Sequence, residues 1–176
     1  MSKIELRPKR EPCPEGTWQM ICFKEEIATY EGKKGPFQRQ IFNFQVFEGD
    51  DKTAGPGMMD WIEDDGSVRK IRPGARASLP VPKALNPATD LWKFLDGAFG
   101  PSWHKHIEEL DDISTGKKTR VLDTSFMVGK RFTGKVIHNE RGFAEVAEIS
   151  APDQDATFEF INYFDEKKTD KDDLPF

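Results

Sequence analysis

Two alternating runs with a glycine-rich break between them most constrain what this chain can fold into. From about Thr17 to Ile27, and again from about Phe37 to Phe47, side-chain character changes with the two-residue period of a β-strand. Between them lies Tyr30-Glu31-Gly32-Lys33-Lys34-Gly35-Pro36, a loop of turn residues with two lysines. Together the segments predict a long β-hairpin. Phe42, Phe44 and Val46 fall on one face of the second strand and are expected core. Arg39, Ile41, Asn43, Gln45 and Phe47 fall on the other. On the first strand, Trp18, Met20 and Cys22 share one face, and Gln19, Ile21 and Phe23 share the opposite one. A face that mixes amides, an arginine and apolar groups reads as a sticky, solvent-accessible platform.

Further along, residues 48–57 read as loop. Met58 to Glu63 and Val68 to Ile71 form a short hairpin around Asp64-Asp65-Gly66-Ser67. Arg72-Pro73-Gly74-Ala75-Arg76 then breaks regular structure. Leu91, Trp92, Leu95 and Phe99 recur at helical spacing, which predicts a helix over Ala88–Phe99. Thr89 or Asp90 would cap it, and Gly100-Pro101 would stop it. A weaker helical piece runs from Trp103 to about Leu110, and a helical turn from Asp123 to Val128 ends at Gly129. A last hairpin joins Lys130–His138 to Phe143–Ile149 through Asn139-Glu140-Arg141-Gly142. The reading is mainly β. It divides the chain into an extended arm, 1–15, a β domain, 16–150, and an acidic tail, 151–176. Within the tail, the aromatic segment 158–164 is either a terminal strand or a contact segment. The charge run Asp165–Asp173 is expected to be disordered. No internal repeat is evident.

Composition narrows the function classes. Leu, Ile, Val and Phe make up about 23% of the 176 residues, just above the range expected for disorder. A lean core is therefore expected. No run approaches the roughly 20 apolar residues of a membrane span. Met1-Ser2-Lys3-Ile4-Glu5 leads into no apolar stretch, so the reading expects no secretory signal. Cys13 and Cys22 are the only cysteines. Two do not make a disulfide framework, and a reducing cytoplasm is the expected location. Net charge is -5, and residues 151–176 carry all of it, with eight acids against three lysines. The neutral remainder is free to hold a local basic stripe.

Enzyme signatures are missing. The chain has no Walker A loop, GxSxG or HExxH. His104-x-His106 is the only histidine pair and reads as surface rather than as a metal site, without a third or fourth ligand. Asp64-Asp65 and Asp111-Asp112 have the chemistry for Mg²⁺, yet paired Asp in loops commonly serve turns and caps. The expectation is a binding protein without cofactor or metal.

The element order, five or so antiparallel strands with one or two short helices between the third and fourth, resembles the OB-fold, a small Greek-key barrel. Pro14-Glu15-Gly16-Thr17-Trp18, Tyr30-x6-Phe37-Gln38-Arg39 and Phe42-Asn43-Phe44-x-Val46-x2-Gly49 resemble the first half of phage-type OB proteins. Leu91-x2-Phe94-Leu95 and Gly129-Lys130-Arg131-Phe132 are similar to later parts of that group. The chain ends Lys171-Asp172-Asp173-Leu174-Pro175-Phe176, which resembles the acidic C-terminal tip of bacterial single-stranded DNA-binding proteins. That family's N-terminal strand pattern and its Gly/Pro/Gln-rich linker are absent, so a phage or mobile-element protein of the host cytoplasm fits better than a housekeeping tetramer.

The resemblance implies a protein that binds single-stranded DNA with little sequence preference during replication, recombination or repair. It also implies that Asp172, Asp173, Leu174, Pro175 and Phe176 recruit partner proteins. Phe176 would present a ring and a free carboxylate together, as in terminal-carboxylate capture. Single-strand binders combine phosphate-holding cations with aromatic stacking faces. Candidate stackers are Trp18, Phe23, Phe37, Phe47 and Trp61; Trp18 is the weakest of these because it shares a face with Met20. Candidate phosphate contacts are Lys33, Lys34, Arg39, Arg69, Lys70, Arg72, Arg76, Lys130 and Arg131. Most of the 20 aromatics in a lean core must be buried, so each stacker competes with a packing role. Two other readings stay open: a tip-mimic protein that engages host repair or replication enzymes without binding DNA, and a strand-annealing recombination protein. Oligomeric state is left open.

Overall fold

The computed structural model describes residues 12–46, 56 and 58–152. Its architecture is mainly β. In chain order the elements are β1 (Gly16–Gly32), β2 (Gly35–Val46), β3 (Met59–Ile62), β4 (Val68–Ile71), β5 (Gly74–Pro80) and α1 (Asp90–Phe99). A 3-10 turn over Gly100–His106 follows, then β6 (Ile107–Asp111), β7 (Lys118–Leu122), a second 3-10 turn over Thr124–Met127, β8 (Arg131–His138) and β9 (Ala144–Ser150).

Five strands form a ring-like sheet in the order β1-β2-β5-β9-β8, with β8 returning to β1. Four of the joins are antiparallel. The fifth, between β5 and β9, is parallel and consists of the single pair Arg76 and Glu145. The expectation of an all-antiparallel barrel is therefore corrected to a mixed, narrowly joined ring. β3-β4 and β6-β7 are separate two-stranded sheets.

The inward faces follow the predicted alternation. Phe42, Phe44, Val46, Met20 and Cys22 are fully buried and meet Ala75, Ala77, Phe132, Val136, Val146 and Ile149 in one core. Rings order it. Phe42 stacks on Phe94 of α1 at 5.9 Å, and Phe44 meets Phe132 edge-on at 5.9 Å. Leu91, Phe94, Leu95 and Ala98 form the buried stripe of α1. Their spacing of three and four residues lays that stripe over the ring. Each large side chain so buried contributes about 1.5–3 kcal/mol. Cys13 also lies in this core, 2% exposed.

The placement of the helix is a second correction. In chain order α1 follows the fifth strand rather than lying between the third and fourth. The reason is that a strand, Gly74–Pro80, begins inside the Arg72–Arg76 stretch expected to break regular structure. Ala75 and Ala77 turn inward while Arg76 is exposed. The alternation is carried by small residues, and Pro73 and Pro80 flank it, which masks the period. A third correction concerns 103–111. The weak helical piece is a 3-10 turn that stops at His106, and Ile107 opens β6. Thr89 is the N-cap residue of α1, but its hydroxyl donates to the Asn86 carbonyl at 2.8 Å instead of capping the helix.

Close approach of α1 to β9 depends on Gly97. A Cβ there would lie 2.8 Å from the Ile149 carbonyl oxygen. Helix propensity alone favours alanine by up to about 1 kcal/mol, whereas forcing backbone apart costs about 1–3 kcal/mol. The steric term wins. Gly97→Ala is expected to lose about 1 kcal/mol net, lowering the melting temperature by about 2–4 °C. A melting temperature that rises would show that the helix is not held against β9.

Candidate nucleic-acid interface

β1 pairs with β8 only from Gly16 to Ile21, and β2 pairs with β5 only from Arg39 onward. Beyond Ala28 on β1 and before Arg39 on β2, the two strands are paired in the ladder with each other alone, up to Gly32 opposite Gly35. A two-stranded ribbon thus stands off the ring. Both strands run further toward the turn than the sequence predicts, and only Lys33 and Lys34 remain as its tip. A register shift between Cys22 and Lys24 leaves Phe23 as the extra residue of a bulge. Bulges bend a strand, and this one sits just past Ile21, where β1 parts from β8.

The ribbon carries an aromatic pair. Tyr30 lies opposite Phe37 in the ladder, and their rings stack with centroids 5.7 Å apart and planes 27° apart. Tyr30 is 41% exposed and Phe37 45%. Lys33 and Lys34 are exposed one turn away. Among the predicted residues, the structure brings Phe37, Lys33 and Lys34 together. Tyr30 is not among the sequence-derived candidates, because the glycines and proline around it read as loop. Its signal was symmetry about the turn: Tyr30 and Phe37 are equidistant from Lys33-Lys34.

Other predicted contacts are placed differently. Arg39 is half-buried; its Nε donates to Ser78 Oγ at 2.7 Å and its Nη2 to the Ser78 carbonyl at 2.8 Å. Arg69 pairs with Glu63 at 2.9 Å, and Lys70 pairs with Asp60. Trp61 is half-buried in β3, opposite Arg69. Arg72 is only 7% exposed. Arg76 is exposed on β5, between Asn43 and Glu145. Lys130 and Arg131 are exposed at the start of β8, where Arg131 lies opposite Ile21. The run from Arg69 to Arg76 therefore does not form one open basic patch. Trp18 is half-buried and donates its indole N–H to the Pro14 carbonyl at 2.9 Å. Phe23 is half-buried at the bulge. Phe47 and the tip residues Asp172, Asp173, Leu174, Pro175 and Phe176 lie outside the described residues, as does the segment 158–164.

The platform expected on the outer face is corrected as well. Ile41 and Gln45 are 2% exposed, and Gln19 and Ile21 5%. Ile71, Arg72 and Pro73, which lead into β5, are buried too, and Val46 N–H donates to the Pro73 carbonyl at 2.8 Å. Exposure on β1 and β2 is concentrated on the ribbon instead.

Of the acidic pairs, Asp65 and Asp112 serve turns. Asp65 accepts from Ser67 Oγ at 2.6 Å and Ser67 N–H at 2.8 Å; Asp112 accepts from Ser114 at 2.7 and 2.9 Å. These bonds, from the serine hydroxyl first, hold both carboxyls below their ordinary range. His104 lies against the Trp92 and Trp103 rings, and His106 stacks on Phe126 at 4.0 Å. Among the described residues no group of three His, Cys, Asp or Glu side chains is placed to hold a metal ion. No described helix is long and apolar enough to cross a membrane. No protein-family model matches the chain, and no curated protein or solved structure matches it significantly.

Proposed function

We propose that this protein binds single-stranded DNA with little sequence preference, in phage-type replication, recombination or repair, and recruits partner proteins through its acidic tip. The observation that carries the reading is the exposed Tyr30–Phe37 stack beside the Lys33-Lys34 turn. It joins a stacking surface to exposed cations, the two elements that sequence-tolerant single-strand binding needs. The ring supports the same reading. Numbering its strands by chain order gives 1-2-3-5-4 around the ring, which resembles the partly open OB-fold. In that fold the loop between the first two strands borders the oligonucleotide site.

One observation favours a second reading. Arg69 and Lys70 are paired with acids, and Arg72 is buried, which leaves the body with less open positive charge than the sequence suggested. A tip-mimic protein that engages repair or replication enzymes without binding DNA fits that.

Titration of a fluorescent dT oligonucleotide separates the two. Full-length protein and a version lacking residues 171–176 are compared at low and moderate salt. Single-strand binding predicts association by both forms, equal or tighter without the tip, with log affinity falling against log salt by about 0.7 per phosphate neutralised. No association by either form would remove the DNA reading and leave the tip-mimic reading ahead.

A further inference from the structure

An arm of two strands is marginal by itself in water, so its root must fix where it points. Two consecutive residues of β2, Arg39 and Gln40, project to opposite faces of the ribbon there. On one face Arg39 is tied to Ser78 of β5 through the two hydrogen bonds described above. On the other, Gln40 is 2% exposed and donates from Nε2 to Glu25 Oε2 at 3.0 Å and to the Glu26 carbonyl at 3.1 Å. Thr124, 8% exposed, brings its hydroxyl within 2.7 Å of the same Glu25 oxygen and 3.2 Å of Gln40 Oε1. That hydroxyl has one hydrogen, and the carboxylate is the stronger acceptor. Thr124 lies two residues after the end of β7. The network therefore fastens the root of the first arm to the root of the second two-stranded ribbon, β6-β7.

We infer that Glu25, Gln40 and Thr124 are positioning residues that, with the Arg39–Ser78 pair, bracket the β1-β2 arm from both sides and hold its aromatic tip in place for the ligand. The binding half of this inference rests on the single-stranded DNA reading; the mechanical half does not. Pre-organisation raises affinity by removing the entropy of ordering a loose element at the moment of binding. Without the bracket the tip must be ordered at each encounter, and the bound strand leaves faster.

Two measurements test it. In the first, Lys34→Cys carries a dye and anisotropy decay reads the motion of the arm. Cys13 and Cys22 compete little for the label, being 2% and 0% exposed, with burial pushing both thiols up to about 12. In the second, unlabelled protein is mixed with a dT oligonucleotide and its dissociation rate is followed. Thr124→Val removes the hydroxyl at equal shape, Thr124→Ser keeps it, and Glu25→Ala removes the shared acceptor from a more open position. Thr124→Val and Glu25→Ala are each expected to enlarge the fast motion of the arm and to speed dissociation about fivefold, with Thr124→Ser close to wild type in both. Arm motion unchanged in Thr124→Val and Glu25→Ala would overturn the bracket. Enlarged motion with unchanged dissociation would overturn its role in binding. A wild-type protein that binds no oligonucleotide would overturn the DNA reading and the binding half together, while the motion of the arm would still decide the bracket.

Discussion

Replacing both Tyr30 and Phe37 by alanine is expected to weaken binding of a dT oligonucleotide about 30-fold while leaving the fold in place. Stacking on an aromatic ring contributes roughly 1–3 kcal/mol per base. The two rings form one stacked unit at 5.7 Å, so one base stack of about 2 kcal/mol is lost, which is close to 30-fold. The cost to stability is smaller. Both rings are more than 40% exposed, and an aromatic pair is worth about 0.5–1.5 kcal/mol beyond burial. A shift of a few degrees in melting temperature is the corresponding result. The paired control is Lys33→Ala with Lys34→Ala, which should reduce the salt slope by about 1.4, two phosphates at about 0.7 each, rather than remove a salt-independent share of the affinity. Equilibrium titration at three salt concentrations checks both. Affinity within twofold of wild type for the Tyr30, Phe37 variant would mean that the ribbon tip does not carry the site.

The largest loss of stability is expected from Phe132→Ala. Phe132 is 1% exposed on β8, the strand that joins β1 to β9 in the ring. Its ring meets Phe44 edge-on at 5.9 Å and Phe99 edge-on at 5.4 Å. Truncation of a buried phenylalanine to alanine costs about 3–5 kcal/mol, which is a large part of the whole stability of a domain this size. The melting temperature should fall by about 10 °C or more. Phe132→Leu keeps most of the volume and should cost less than about 1.5 kcal/mol. Urea unfolding of the two variants checks the order. A loss below about 1 kcal/mol for the alanine variant would mean that Phe44 and Phe99 close over the gap, and that the core is less tightly determined than its burial indicates.

Strand alternation makes much of the fold legible in the sequence. Phe42, Phe44 and Val46 were expected inside and are fully buried. The β3-β4 hairpin and the β8-β9 hairpin lie within one or two residues of their expected limits, since each has a polar turn between two apolar runs. What escaped was written in weaker chemistry. β5 alternates alanine with arginine and serine between two prolines, a pattern with little hydrophobic contrast. β6-β7 buries almost nothing, so it has no apolar period to read. Both ribbon strands were cut short because glycine and proline at a turn look the same whether the ladder stops early or continues to the last pair.

The candidate site divides along the same line. Sequence named Phe37, Lys33 and Lys34, because residue type and a turn suffice to place cations and a ring near one another. It also determined the residue types at the acidic end of the chain and the distribution of charge. Which cations stay open was settled by tertiary structure alone. Arg39 is held by Ser78, 39 residues away, and Arg72 is buried. The same holds for Ile41 and Gln45, whose face reads as open from alternation alone and is buried in the fold. Alternation along a strand says which side a residue takes, since that is local backbone geometry. Whether that side meets water depends on segments far away in sequence, and only their packing decides it.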